Sequence, residues 1–182
     1  MGCIYTMKWL VDRFLIWWLK SGRYRWSKIR RRVFERKYLK TELPLVTSLE
    51  EIETHLGQIT WTMDGPLHLF DSISYPQAVW AKKKDDCDGF AVLACELLAQ
   101  LDSSLKPFLV TAMVHPVKKS HTVCVFSYSE GELGVFDNGK LKKGYITDGE
   151  IIDEIRQKSE ELICWDVRRH EDFGLIEFHI NR

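Results

Sequence analysis

Asp85-Asp86-Cys87-Asp88-Gly89-Phe90-Ala91-Val92-Leu93-Ala94-Cys95-Glu96-Leu97-Leu98-Ala99-Gln100-Leu101 is the stretch on which the fold turns. Phe90, Ala91, Ala94, Leu97, Leu98 and Leu101 recur at helical spacing. With Asp85 or Asp86 as N-cap, they predict a buried central helix from Cys87 to about Leu101. A thiol on the first turn of such a helix meets unpaired backbone N–H groups and the positive end of the helix dipole, and both favour thiolate. The same N–H groups are placed to stabilise an oxyanion. Taken alone, Cys87 reads equally well as a buried structural cysteine.

Beyond Pro107 the pattern changes to strands, over Phe108–Val114, His121–Tyr128 and Leu133–Phe136, with short turns that predict an antiparallel meander. His121 opens one strand and Asp137 ends the next, so neighbouring antiparallel strands bring the two side chains together. An imidazole within reach of a thiol takes its proton, and a carboxylate on the far nitrogen fixes the tautomer. Asp137-Asn138-Gly139 by itself reads as a turn. A polar helix over Glu150–Glu161 and strands over Leu162–Val167 and Leu175–Ile180 follow.

Upstream, Ser48 caps a short helix that runs to about Leu56, Ile59–Trp61 suits a short strand, and Asp64-Gly65-Pro66 is a turn. Pro76 opens a helical turn containing Val79 and Trp80.

The chain has 182 residues, enough for one sizeable core, and its 26 basic and 26 acidic residues cancel. Their distribution is uneven. Met1–Lys40 has a net charge of +10, with Asp12 and Glu35 its two acids, and Thr41–Arg182 has −10. Leu10, Val11, Phe14, Leu15 and Trp18 predict an amphipathic helix ended by Ser21-Gly22. Trp26, Ile29 and Val33 continue a second periodic stretch, opposite Arg30, Arg31, Arg32 and Arg36. This basic arm suits a membrane surface, nucleic acid, or a packed stripe under a solvated face. The seven tryptophans read as core and arm packing.

Trp9–Leu19 is interrupted by Asp12 and Arg13 and falls well short of the about 20 residues of a bilayer span, so neither a transmembrane helix nor a secretion signal is expected. Met1-Gly2-Cys3-Ile4-Tyr5-Thr6 fits the loose acylation pattern MGxxx[ST]. Five cysteines, an odd number without a CxxC pair, favour a reducing, cytoplasmic setting over a disulfide framework or a zinc site. His55, His68, His115, His170 and His179 lack a partner pattern and are assigned to surface or packing.

Three segments together resemble a known family. Asp85-Asp86-Cys87-Asp88-Gly89-Phe90-Ala91, Ser120-His121-Thr122-Val123 and Val135-Phe136-Asp137-Asn138 resemble the core of the transglutaminase-like superfamily, closest to the bacterial transglutaminase-like cysteine peptidases. Thr60-Trp61-Thr62-Met63-Asp64 and Ser74-Tyr75-Pro76-Gln77 are similar to its upstream segments. The resemblance covers about residues 59 to 139. It implies an α+β papain-like fold with Cys87 as nucleophile, His121 as base and Asp137 as orienter. Gln77 and Trp61 are candidates for an oxyanion-hole side chain. Asp86 and Asp88 stand where acids help bind calcium in some secreted members, although two carboxylates fall short of the six to eight oxygens the ion takes. Gly89 stands where many peptidase members carry a second acid.

The sequence therefore predicts a helical arm over 1–44 and a catalytic domain over 45–182. The expected activity is a cysteine hydrolase that cleaves a peptide or amide bond in a protein or peptide substrate, with no cofactor. The alternatives are an acyl transferase and a non-catalytic module docking through its basic arm.

Overall fold

The computed structural model describes residues 2–63 and 72–181, so Met1, the Asp64-Gly65-Pro66 turn and His68 lie outside the described residues. The architecture is α+β. A six-stranded sheet of β3 (Phe108–His115), β4 (His121–Ser129), β5 (Glu132–Asp137), β6 (Lys140–Tyr145), β7 (Glu161–Arg169) and β8 (Leu175–Ile180) has the order β6-β5-β4-β3-β7-β8. Every neighbouring pair in it is antiparallel.

Alternation along the strands divides the core in two, because successive side chains point to opposite faces. Leu109, Met113, Cys124, Phe126 and Phe136 face the central helix α5 (Cys87–Leu101). Val110, Ala112, Val123, Val125 and Val135 face Ile151, Ile152 and Ile155 of α6 (Asp148–Gln157). The predicted meander is thus the middle of a larger sheet. Strand β6 escaped the sequence reading because none of its side chains is fully buried. Asn138 and Gly139, at φ 45° and 82°, make the tight turn that leads into it.

Helix α5 spans the residues expected of it, and the N-cap is Asp86, whose carboxylate accepts the Asp88 N–H at 3.1 Å. Its first turn is tightly constrained. A Cβ on Gly89 would fall 2.3 Å from Asp85 Cβ, so glycine at that position makes room for the Asp85 side chain. Helix α3 (Leu49–Leu56), capped by Ser48, and α4 (Pro76–Lys82) pack beside α5. Strand β1 (Thr60–Trp61) pairs in parallel with β2 (Lys84–Asp85), which ties Trp61 to the entrance of α5.

The arm departs from its reading in two ways. Ser21-Gly22 does not end the helix: α1 (Gly2–Trp17) passes through a wide turn at Trp18–Gly22 into α2 (Arg23–Arg30), and Gly22 keeps helical angles of φ −61° and ψ −51°. Glycine is there for space, since a Cβ would lie 2.7 Å from the Trp18 ring. A second wide turn at Arg31–Glu35 and a tight turn at Arg36–Lys40 complete the arm.

The second departure concerns burial. Leu15 and Trp18 are buried as expected, together with Leu19, but Leu10, Val11, Phe14, Trp26, Ile29 and Val33 are exposed, while Arg23, Arg31 and Glu35 are buried. The packed-stripe reading of the second half is therefore overturned. So is the assignment of all tryptophans to packing, because Trp9 and Trp17 are each 54% exposed. The buried polar groups are held by the body: Arg31 donates to the carbonyls of Ile73 and Ser74, and Glu35 accepts the Tyr75 N–H. Asp12 meets His115 at 2.7 Å, a partner that sequence spacing does not reveal.

Candidate active site

Cys87, His121 and Asp137 line one cleft of about 350 Å³, together with Trp61, Ser120 and Asn138. Each arrives from a different element end. Cys87 is the first residue of α5, His121 the first of β4 and Asp137 the last of β5. Cys124 pairs with Phe136, so Val123 stands opposite Asp137 and His121 lies diagonal to Asp137 on the same face. The imidazole Nε2 meets Asp137 Oδ1 at 2.6 Å. A carboxylate there stabilises the Nε2–H tautomer and leaves Nδ1 with its lone pair as the proton acceptor.

Asp137 has a second partner, which the sequence reading missed. Lys142 on β6 donates to Asp137 Oδ2 at 2.7 Å and to Glu154 on α6 at 2.6 Å. Burial alone pushes the Asp137 carboxyl up, but His121 and Lys142 outweigh it and hold the group well below the usual carboxylate range. Burial lowers the Lys142 ammonium, and the two carboxylates more than reverse this. Tyr145 donates to Glu154 and is pushed up to about 12 by burial and by that bond. The Asn138-Gly139 turn was the available signal for this network, since a two-residue hairpin sets Lys140 opposite Asp137 and brings Lys142 along the same strand.

Behind Cys87 the arm enters the site. Arg23 pairs with Asp88, and both side chains are almost fully buried, at 3% and 0% exposure. The same guanidinium donates to Thr111 at 3.4 Å and to Thr122, the neighbour of His121, also at 3.4 Å. Trp18 and Arg23 line a small cavity of about 20 Å³ with Cys87, His121 and Thr122. One arm residue thus touches the neighbours of both Cys87 and His121.

Asp86, Cys87 and Asp88 do bring donor atoms within 4.8 Å of one another. As a calcium site they fit poorly. The set holds one thiol and two carboxylates, Asp86 caps the helix, and Asp88 already meets the Arg23 cation. Of the two oxyanion-hole candidates, Trp61 lines the cleft, and Gln77 on α4 is not among its described lining residues. Cys95 and Cys124 are buried, with their sulfurs 3.1 Å apart. His170 is buried and meets the Pro107 carbonyl at 3.0 Å.

Helix, sheet and cleft define an α+β protein with a helix-terminal cysteine beside a histidine–aspartate pair. No family model matches the sequence, and no curated protein matches it. Among solved structures it is similar to Legionella pneumophila LapG, including its calcium-bound and EGTA-treated forms, at 18% identity and a TM-score of 0.46. The matches cover 64 to 65% of this chain and 62 to 63% of those chains, so the chain spans less than two thirds of their length. So distant a likeness assigns no activity.

Proposed function

We propose that the protein is a cysteine hydrolase acting on peptide or amide bonds of a protein or peptide substrate through an acyl-enzyme. One observation carries this reading: the helix-terminal Cys87 shares a cleft with the 2.6 Å His121–Asp137 pair. Nδ1 of His121 takes the thiol proton, and the Cys87 sulfur forms a bond to the carbonyl carbon, with the oxyanion near the N–H groups of the α5 terminus. The C–N bond then breaks, and the amine leaves with the proton held by His121. Water attacks the thioester, its proton passes to His121, and the S–C bond breaks to release a carboxylic acid. An amine in place of water would make the enzyme a transferase. Asp137 keeps the imidazole in the required tautomer throughout. Lys118, Lys119 and Lys158 also line the cleft and favour substrates with acidic groups beside the scissile bond. The proposed compartment is the cytoplasm, where thiols stay reduced.

The test is the rate at which iodoacetamide labels Cys87 as pH varies, read by mass spectrometry and set against glutathione. Cys87 is expected to react faster than glutathione near neutral pH. His121→Ala is expected to cut that rate about 100-fold. Labelling of an accessible Cys87 no faster than glutathione would overturn the catalytic reading.

A further inference from the structure

The second half of the arm, Tyr24 apart, inverts the usual order of a surface helix. Buried against the body are Arg23, Ser27, Arg31 and Glu35, whereas the outward stripe is apolar: Leu10 is 55% exposed, Phe14 43%, Trp17 54%, Trp26 40%, Ile29 54% and Val33 63%. Leu10, Phe14 and Trp17 follow helical spacing, and so do Trp26, Ile29 and Val33. The wide turn at Trp18–Gly22 takes up an extra residue, which brings Trp26 back toward the side of Trp17 instead of opposite it. The bend in register therefore preserves one continuous apolar stripe.

Beside this stripe stand Arg13, Arg25, Lys28 and Arg32, all exposed. No acid faces outward among the described residues from Met7 to Lys40. Asp12 is engaged by Lys8 and His115, and Glu35 is buried against Arg30 and Lys82. A large apolar stripe flanked by cations alone is the pattern of a helix lying in a membrane interface. Among the described residues no helix is long and apolar enough to cross a membrane.

We propose that the outer face of the arm, from Leu10 to Val33, docks on an anionic lipid surface. Charge complementarity selects the occupant. A nucleic acid would satisfy the cations and leave six large apolar side chains wet, and a second copy joined stripe to stripe would bring two rows of cations together. A bilayer interface takes both, with tryptophan and leucine in the acyl boundary and arginine at the headgroups. This proposal is independent of the catalytic reading.

The experiment is sedimentation of the full chain with phosphatidylcholine vesicles, with and without phosphatidylglycerol, at low and high salt, alongside tryptophan quenching by brominated lipid. Binding is expected to the anionic vesicles alone, to weaken with salt, and to quench the exposed tryptophans. Arg25→Glu, Lys28→Glu and Arg32→Glu together are expected to abolish it, at about fivefold or more per charge. Leu10→Ser with Phe14→Ser and Ile29→Ser is expected to remove the quenching while circular dichroism stays unchanged. Three outcomes would each overturn the proposal. They are an absence of vesicle binding by the parent at low salt, salt-sensitive binding of duplex nucleic acid in its place, and a dimer whose formation alone shields the tryptophans.

Discussion

Helix α5 and the N-terminal arm meet the body in opposite ways. In α5 nearly every side chain from Asp88 to Leu98 is buried, and apolar area holds it against the sheet. The arm contributes Leu15, Trp18 and Leu19 to the same core, but its second half is held by polar groups with specific partners. Arg23 meets Asp88, and Tyr24 donates to Asp166, which also accepts from Arg168 at 2.6 Å. Arg31 and Glu35 meet the backbone of Ile73, Ser74 and Tyr75. The difference teaches that an apolar stripe need not mark the buried side of a helix. Where a neighbouring segment offers carbonyls and carboxylates, a row of arginines can be the inner face, provided each charge finds a partner.

Breaking that polar attachment is expected to have the largest effect. Arg23→Met takes the buried cation away from the Asp88 carboxylate and is expected to cost about 3–5 kcal/mol in urea unfolding. Arg23→Met with Asp88→Leu should recover most of the loss. A double variant as unstable as the single one would show that the pair is more than a matched charge. For the apolar attachment the corresponding test is Gly89→Ala, whose Cβ would overlap Asp85. About 1–3 kcal/mol of destabilisation is expected, with a displaced first turn and slower labelling of Cys87.

At the site itself, acid unfolding reads how firmly the Asp137 carboxylate is held. Because His121 and Lys142 hold Asp137 below its ordinary value of 3.8, their stabilisation is complete above that value and is lost as pH falls below it toward the folded-state value. Lys142→Met is expected to flatten this part of the curve and to lower stability on the plateau above it, where the share that Lys142 contributes is fully present. An unchanged acid limb in this variant would mean that His121 alone sets the carboxylate. Substitution on the outer face of the arm should matter least. Val33→Ser is expected to shift stability by less than about 0.5 kcal/mol, measured by thermal unfolding, since its side chain is 63% exposed.

Much of the fold was legible because local signals and burial agree in it. The cap and the apolar spacing gave α5 its bounds, and alternation located β3, β4, β5, β7 and β8 to within a few residues. Strand β6 was missed because its exposed lysines carry no alternation, although Asn138-Gly139 pointed to a hairpin. The candidate residues Cys87, His121 and Asp137 were legible through their positions at element ends. Lys142 and Arg23 were not, since a lysine on an exposed strand and one arginine among many look like solvated charge.

By itself the sequence determined the periodicities, the caps and the order in which a thiol, an imidazole and a carboxylate come along the chain, because these depend on near neighbours. Only the tertiary structure decided which side of the arm faces inward, that Arg23 reaches Asp88, and that Lys142 joins Asp137 to Glu154. Each of those depends on which distant segment supplies a matching charge, and that is fixed only when the sheet and the helices have closed around it.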